Sequence, residues 1–420
     1  MPEVCDNIIS TLAPCLVQSG TNPDVAQFIS ILLGVALIAS FPLLLVIFLI
    51  WVERKIAARV QDRLGPNRVG PFGLFQNIAD ALKLIIKEDI TPAGADRLIF
   101  NVAPVIAMLS VILIWAVVPF TPYNIGADLD IGVLYFVAIS SIGTLAIMMA
   151  GWSSNNKYAL LGAFRVVAQL VSYEVPMVLA LLVPVMLASS MSMQDMAFAQ
   201  LGMWFIVLTP VSAFIFYVSN LAETGRAPFD LIEAESELVA GYNIEYSGMK
   251  FGLFMANEFM HAFTANLLFA VIFLGAWAGP GATSVPILGF AYLMIKTAIV
   301  YVPSLILRAT VPRVRIDQMM AFNWKFLVPL AIVNVIVIAF VLKLVQVLGI
   351  APSPENASDF VANIPQMVAL LLGNAVILAA AFGLIRGTVR KERLTEAARL
   401  AKRVQIEGEK EALPATVATH

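Results

Sequence analysis

The sequence predicts an all-α polytopic membrane protein with about nine transmembrane helices and one amphipathic interfacial helix on the cytoplasmic side. Of the 420 residues, 60% are hydrophobic and 13% are charged, and the mean hydropathy is +0.88. A soluble protein of this length needs more polar surface than such a composition provides. The apolar runs are also long enough to cross a hydrocarbon core of about 30 Å as helices. Finally, basic residues are concentrated in alternate connections between these runs.

The prediction of this fold class rests on nine apolar segments. We expect eight of them to form a core over residues 28–348, after an outer-side segment at 1–27. A linker and a ninth helix follow at 349–387, and a charged cytoplasmic tail occupies 388–420. The segments cover residues 28–52, 98–119, 133–152, 159–187, 202–221, 251–278, 286–307, 326–348 and 364–385.

The basic residues predict the orientation, because Lys and Arg are retained on the cytoplasmic side of a membrane. The connection after the first segment holds eight of them, whereas the N-terminal segment has none. We therefore expect the N-terminus outside, the C-terminus inside and loops 53–97, 220–250 and 308–325 in the cytoplasm. The absence of basic residues before the first apolar run is unlike a cleaved signal peptide. The length of the chain and the lack of a targeting segment favour a bacterial cytoplasmic (inner) membrane.

The first cytoplasmic connection contains the predicted interfacial helix. From position 75, apolar residues recur at helical spacing, and polar residues including Asp80 and Lys83 occupy the opposite face. The preceding turn, RLGPNRVGPFG, is rich in glycine, but it matches neither GxxxxGK[ST] nor GxGxxG after a strand. Nucleotide binding is therefore not indicated, and no nucleic-acid partner is expected.

The connection at 220–250 is unusually acidic for a loop beside a bilayer. Its only basic residues are Arg226 and Lys250, and its carboxylates alternate with apolar residues that favour burial. We interpret it as a folded acidic insert. Its acidic residues are Glu223, Asp230, Glu233, Glu235, Glu237 and Glu245.

Several ionisable residues fall inside the apolar segments. Each costs about 3 kcal/mol at the bilayer centre, so they must be paired, neutralised or hydrated. One interpretation is a proton path, because carboxylates that share a low-dielectric space ionise in a coupled way and can exchange protons. The alternative is a set of buried ion pairs in which Lys296 binds Glu174 or Glu258. The residues concerned are Arg165, Glu174, Glu258, His261 and Lys296, while Lys343 lies near a segment end and can extend to the interface.

Redox cofactors and metals are not expected in this chain alone. Glu258 and His261 share a helix face as in half of a di-iron site, but His420 is the only other histidine. The two cysteines, Cys5 and Cys15, either form a disulfide on the outer side or remain free thiols. Haem, iron-sulfur and zinc sites need more ligands than these. Any electrons must therefore be handled by partner proteins.

Five stretches of the sequence are distinctive: ERK at 53–55, RLGPNRVGPFGLFQNIADALKLIIKED, GWSSNNKYALLGAFRVVAQLVSYEV, ETGRAPFDLIEAESELVAGYNIEY and LRATVPRVRIDQMM. They resemble the H-subunit family of bacterial NADH-quinone oxidoreductase, the counterpart of mitochondrial complex I subunit 1. The resemblance extends in order over about residues 28–348, and the N-terminal segment, the ninth helix and the tail are less diagnostic.

The resemblance implies a protein at the heel of the membrane arm, beneath the hydrophilic arm, that forms the entrance and part of the wall of a quinone chamber. FMN and iron-sulfur clusters would belong to partner subunits, and quinone would be the substrate. The implied partners are the quinone-site and terminal iron-sulfur subunits, neighbouring small membrane subunits, antiporter-like subunits and the lipid bilayer.

The resemblance also assigns roles to residues that match the family motifs. Quinone binding is implied for Arg54, Arg63, Asp80, Lys83, Glu223, Asp230 and Glu233. Arg165, Glu174, Glu235, Glu237 and Glu258, together with Lys296, would couple quinone reduction to proton transfer. Arg308, Arg313, Arg315 and Asp317 would contact the peripheral arm.

Two other functions remain open. The chain could be the related membrane anchor of an energy-converting hydrogenase, which needs no quinone chamber. It could instead be a secondary transporter, although transporters usually contain two related halves and no internal repeat is evident here.

Overall fold

The computed structural model describes residues 22–230, 241–349, 360–361, 363–383 and 386. Within these ranges, eight helices are long and apolar enough to cross a membrane, and the predicted all-α polytopic fold is confirmed. Cys5, Cys15 and the whole predicted tail at 388–420 lie outside the described residues. The helices are α1 (Pro23–Val60), α2 (Gln76–Ile86), α3 (Arg97–Ile114), α4 (Gly132–Ser153), α5 (Lys157–Ala188), α6 (Met193–Ala199), α7 (Phe205–Leu208), α8 (Pro210–Glu223), α9 (Gly248–Leu274), α10 (Pro286–Thr310), α11 (Ile316–Phe322), α12 (Val328–Val347) and α13 (Asn363–Gly383).

Helix α1 extends well beyond its apolar segment. Its 38 residues give a length of about 57 Å, whereas a bilayer core is about 30 Å thick. The side chain of Asn22 caps its first turn, and the helix continues to Val60. Glu53 and Arg54 are consequently helical and lie in the last turns, next to α9 and α10.

The fifth predicted segment is not one continuous helix. The apolar pattern predicts a single span over 202–221, but the structure divides it into α7 and α8 at Thr209. Thr209 has φ −136° and ψ 65°, outside the helical region. The cause is Pro210, which disfavours a helical conformation in the preceding residue and has no N–H for the helical ladder.

Helix α2 agrees with the predicted amphipathic helix. Its apolar side chains Ile78, Leu82 and Ile85 are 44%, 54% and 62% exposed, as expected for a face that rests on lipid. Its other side is tied to α1, because the amide of Asn77 donates to the carbonyl of Ile47 at 2.7 Å. The helix is therefore fixed beside the C-terminal half of α1.

The main core lies where α5, α8 and α9 meet. Trp115, Tyr173, Phe216 and Trp277 are among its largest fully buried side chains. The tyrosine hydroxyl of Tyr173 donates to the carbonyl of Met319 at 3.0 Å, which ties α5 to α11. Packing of α8 against this core positions Glu223 at the end of that helix.

Both ends of the acidic insert are attached to α5. The Gln169 amide donates to the carbonyls of Ala222 and Phe229, at 2.7 and 2.8 Å. At the other end, a β-carbon on Gly162 would lie 2.7 Å from the carbonyl carbon of Gly241, so only glycine allows this close approach. The described residues at both ends of the insert are therefore held against α5.

Candidate functional site

Glu53 is the centre of a buried cluster of three charged side chains. Its Oε1 accepts a hydrogen bond from Nη1 of Arg226 at 2.5 Å and another from Nη1 of Arg308. Arg226 is 1% exposed, and Oε2 of Glu53 is buried with no hydrogen-bond partner among the described residues. A single carboxylate thus faces two guanidinium groups, which leaves the cluster net positive. Such a cluster favours an electron-rich oxygen at its open side.

A cavity of about 510 Å³ opens beside this cluster. Its volume falls in the range of small-molecule binding sites, about 300 to 1,000 Å³. The ends of α1 and α10, the turn that follows α1 and one residue of α9 enclose it, and its polar groups converge from α1, this turn and α10. The lining residues are Glu53, Arg54, Ala57, Gln61, Arg63, Pro66, Phe259, Leu305, Arg308 and Ala309.

The rim of this larger cavity is formed by α1 and α2 together. Nη1 of Arg54 donates to Oδ2 of Asp80 at 2.6 Å. Partial burial alone would raise the pKa of Asp80, but the hydrogen bond and charge of Arg54 outweigh it, so the pKa is lowered. Lys83 lies one turn further along α2 with its side chain exposed. Arg54, Arg63 and Asp80 are therefore brought together, with Lys83 at the periphery.

A second, smaller cavity lies deeper, between α3, α4, α5, α8 and α9. Its volume is about 50 Å³, enough for a few water molecules. Its walls carry Glu223, Glu258 and His261, together with hydroxyl and amide groups such as Ser110, Thr144 and Asn257. A buried space with this lining is suited to hold water and protons rather than an apolar ligand.

Two consecutive serines of α4 each bind one acid, of which Glu223 is buried and Glu174 is partly buried. The hydroxyl of Ser140 donates to Oε1 of Glu223 at 2.9 Å, and that of Ser141 donates to Oε1 of Glu174 at 2.5 Å. Glu223 lies at the end of α8 and Glu174 in the middle of α5. One turn of α4 thus links two acids from different helices.

Helix α9 contributes consecutive residues to the two cavities. Glu258 lines the smaller cavity, and its neighbour Phe259 lines the larger one. The guanidinium carbon of Arg226 lies 5.3 Å from the centre of the Phe259 ring, and Arg226 and Glu258 attract each other electrostatically. Arg226 therefore contacts Phe259 in the wall of the larger cavity and interacts electrostatically with Glu258 in the wall of the smaller one.

Lys296 lies away from both cavities. Its ammonium donates to the carbonyls of Leu274, Ala276 and Ala278, at 2.7, 3.1 and 2.7 Å, and stands 4.8 Å above the ring of Trp204. Among the described residues it forms no ion pair with Glu174 or Glu258. The last residue of α9 and the turn that follows it supply the carbonyls instead, since the end of a helix leaves carbonyls without partners in the helix.

The remaining predicted residues divide into three groups. Arg165 is partly buried in α5, and Asp230 is partly buried at the edge of the described insert. Glu233, Glu235 and Glu237 lie outside the described residues. Among the residues predicted to contact the peripheral arm, Arg308 belongs to the cluster around Glu53, Arg313 is partly buried, and Arg315 and Asp317 are exposed.

Sequence reasoning missed the centre of the site. Glu53 was visible as an acidic residue at the end of a long apolar run, and Arg226 as one of two basic residues in an acidic insert. Their pairing joins residues 173 positions apart and has no local signal. Ser140 and Ser141 were not singled out either, because serines are common in membrane helices.

These features define a class of protein. It is a multi-pass membrane protein with a larger cavity near its predicted cytoplasmic surface and a smaller, acidic cavity deeper in the fold. The NADH dehydrogenase family model matches residues 33–339. The chain is 46% identical over 345 residues to the NADH-quinone oxidoreductase H subunit of Dehalococcoides mccartyi strain CBDB1, a match that covers 82% of this chain and 94% of the relative.

Two further relatives give the same result. An H subunit of NADH-quinone oxidoreductase from Geobacter metallireducens is 46% identical over 320 residues, which is 74% of this chain and 95% of the relative. The H subunit from Geobacillus kaustophilus is 45% identical over 307 residues, or 73% of this chain and 92% of the relative. The chain belongs to the H-subunit family of NADH-quinone oxidoreductase, as its motifs indicated.

Proposed function

We propose that this chain forms the entrance and part of the wall of the quinone chamber in NADH-quinone oxidoreductase and couples quinone reduction to proton translocation. The observation that carries the proposal is the adjacency of the two cavities. Arg226 is hydrogen-bonded to Glu53 on the larger cavity and electrostatically attracted to Glu258 on the smaller one. A change of charge in the larger cavity therefore changes the free energy of ionisation in the smaller one.

The larger cavity supplies the features that a quinone needs. A hydrophobic quinone enters from the bilayer past Phe259 and Leu305, and Arg54 and Arg63 flank its route at the rim. The net positive cluster of Glu53, Arg226 and Arg308 attracts the electron-rich carbonyl oxygens of the head group. Electrons come from a terminal iron-sulfur cluster in a partner subunit, and FMN also belongs to a partner.

The smaller cavity supplies the proton-transfer groups. When quinone reduction adds charge near Arg226, the attraction between Arg226 and Glu258 changes, and protons redistribute among Glu258, Glu223 and Glu174 through the serine hydroxyls and water. Buried carboxylates respond strongly because the low dielectric screens their interactions little. The change then passes to neighbouring small membrane subunits and antiporter-like subunits. The predicted roles of Arg165, Lys296 and the acids at 233, 235 and 237 are part of the same proposal.

The proposal includes the setting of the chain within the complex. It lies in a bacterial cytoplasmic membrane with the C-terminus inside, so the larger cavity opens near the cytoplasmic surface beneath the hydrophilic arm. Arg313, Arg315 and Asp317 contact that arm.

Photo-crosslinking of the assembled complex tests the quinone assignment. A quinone that carries a photoreactive group on its ring should label α1 between Glu53 and Arg63 or α10 near Arg308, and excess unmodified quinone should suppress the labelling. Labelling confined to the lipid-exposed face of α13, for example at Leu372, would contradict the proposal. Mass spectrometry of the digested protein identifies the labelled peptides.

A further inference from the structure

The break between α7 and α8 leaves backbone groups that must be satisfied inside the membrane. Pro210 has no N–H, and the residues around it cannot form the regular helical ladder. In hydrocarbon no water is present to bond the freed carbonyls and N–H groups. A broken helix is therefore stable there only when neighbouring side chains provide partners.

Asn374 of α13 provides these partners. Its amide Nδ2 donates to the carbonyl of Leu208, the last residue of α7, at 3.1 Å, and its Oδ1 accepts from the N–H of Val211 at 3.4 Å. One side chain thus binds the backbone on both sides of the break. Asn374 is 1% exposed, so water does not compete for these bonds.

The docking face of α13 is centred on Asn374. Leu370, Ile377 and Ala381 lie on the same face and are buried in the main core. A β-carbon on Gly373 would lie 3.2 Å from Cγ2 of Val341, so α13 packs closely against α12. This helix lies beyond residue 339, where the match to the family model ends.

Helix α8 joins the break to the smaller, acidic cavity. Helix α8 begins at Pro210 and ends at Glu223, whose carboxylate is bound by Ser140. The first turn of α8 has a second buried amide contact, since Asn334 of α12 donates to the hydroxyl of Ser212 at 2.6 Å. Because a helix transmits displacement along its axis, fixing its first turn fixes the position of Glu223.

We propose that Asn374 is a positioning residue: it clamps the break in the fifth segment and thereby holds Glu223 at the acidic cavity. The role of the clamp in coupling rests on the proposed function, whereas the clamp itself does not.

Asn374→Leu in the assembled complex tests the inference, because leucine has a similar size but cannot bond the broken backbone. Peptides that cover residues 205–215 should exchange amide hydrogens on the order of tenfold faster than in the wild type, as expected for a lost buried hydrogen bond. Leu372→Ala, on the exposed face of the same helix, is the matched control and should leave exchange unchanged. Asn374→Gln keeps the amide and should restore part of the protection.

The second readout is the number of protons translocated per quinone reduced in sealed vesicles. It should fall about twofold in Asn374→Leu if the freed helix populates two positions equally, with an unchanged KM for quinone. Unchanged hydrogen exchange would overturn the clamp, and faster exchange with an unchanged proton ratio would overturn its positioning role. Glu223→Gln separates the two proposals: if it also leaves the proton ratio unchanged, the coupling function of Glu223 fails, and the positioning role fails with it.

Discussion

Arg54 occupies the rim of the larger cavity and is held by Asp80 rather than by a residue of its own helix. Arg54→Ala should raise the apparent KM for quinone with little change in kcat, because it removes a contact at the entrance and none at the site of electron transfer. The expected increase is about fivefold or less, since a partly exposed charged contact contributes about 1 kcal/mol at most. Steady-state kinetics of the complex in membranes measure it.

The control for this variant is Lys87→Ala, which removes an exposed positive charge at the end of α2 without altering the cavity lining. An unchanged KM in Arg54→Ala would argue against the entrance. An equal increase in both variants would indicate a general effect of surface charge.

The pH dependence of this contact follows from the lowered pKa of Asp80. A carboxyl whose pKa is lower in the folded protein contributes stability above its ordinary pKa of about 3.9, and this contribution is lost as the pH falls through the lowered value. Between about pH 6 and 8 the pair stays ionised. The ratio of KM values for Arg54→Ala and wild type should therefore be constant over that interval, and a ratio that falls steeply toward pH 6 would contradict the assignment.

Glu174 is the partly buried acid whose environment permits the cleanest substitution. Glu174→Gln keeps a group that can accept the hydrogen bond from Ser141 but removes the proton-binding site. Coupled quinone reductase activity and proton translocation should both fall in this variant. The measurement compares both rates in vesicles after the assembly of the complex has been verified.

Ser141→Ala is the complementary variant, because it removes the hydrogen bond and retains the acid. It should have the smaller effect if proton binding is the important property. Full activity with full pumping in Glu174→Gln would exclude the proposed role of that residue.

The sequence identified individual ionisable residues better than it identified their interaction partners, and the reason is physical. Acids inside apolar segments are visible because burying a charge is costly, and this singled out Glu174 and Glu258, whose side chains are partly buried in the structure. The partner of a buried charge is set by tertiary packing. Lys296 therefore bonds backbone carbonyls where an ion pair with Glu174 or Glu258 was one of the predicted alternatives.

At the scale of elements, hydropathy located the membrane helices well because long apolar runs must be buried in lipid. It did not reveal the interruption at Thr209, since a break in an apolar run changes backbone geometry without changing composition. The dipeptide Thr209-Pro210 was the only signal, and proline is also common at the first position of a helix.

The cluster at Glu53 joins three elements and predicts a specific pattern of stability. Glu53→Gln leaves Arg226 buried without its counter-charge, so it should destabilise the protein by about 3 to 5 kcal/mol. Arg308→Gln should cost less, because the Arg308 side chain is 27% exposed and the contact between Glu53 and Arg226 remains. The midpoint of thermal unfolding of the purified complex ranks the variants.

The double variant Glu53→Gln with Arg226→Met provides the check, because it removes both buried charges together. It should recover part of the stability lost in Glu53→Gln alone. Strictly additive losses would mean that the two residues do not interact energetically.

For the whole molecule, the fold places an amphipathic helix, a larger cavity and a smaller acidic cavity in one chain of the NADH-quinone oxidoreductase H-subunit family. Purification in mild detergent should therefore yield this chain together with flavin-containing subunits that oxidise NADH. Subunits would be identified by mass spectrometry. Co-purification with a nickel-iron hydrogenase would instead support an energy-converting hydrogenase, and ion flux by the chain reconstituted alone would support a transporter.

The attachment of the acidic insert to α5 has a consequence for how the chain can vary. Gln169 and Gly162 fasten its two ends on one face of the helix, two turns apart. A single methyl group at position 162 would force the backbones apart, because its β-carbon would lie 2.7 Å from the carbonyl carbon of Gly241. Loss of the Gln169 amide would remove the hydrogen bonds to the carbonyls of Ala222 and Phe229. Relatives should therefore keep glycine and glutamine at these two positions.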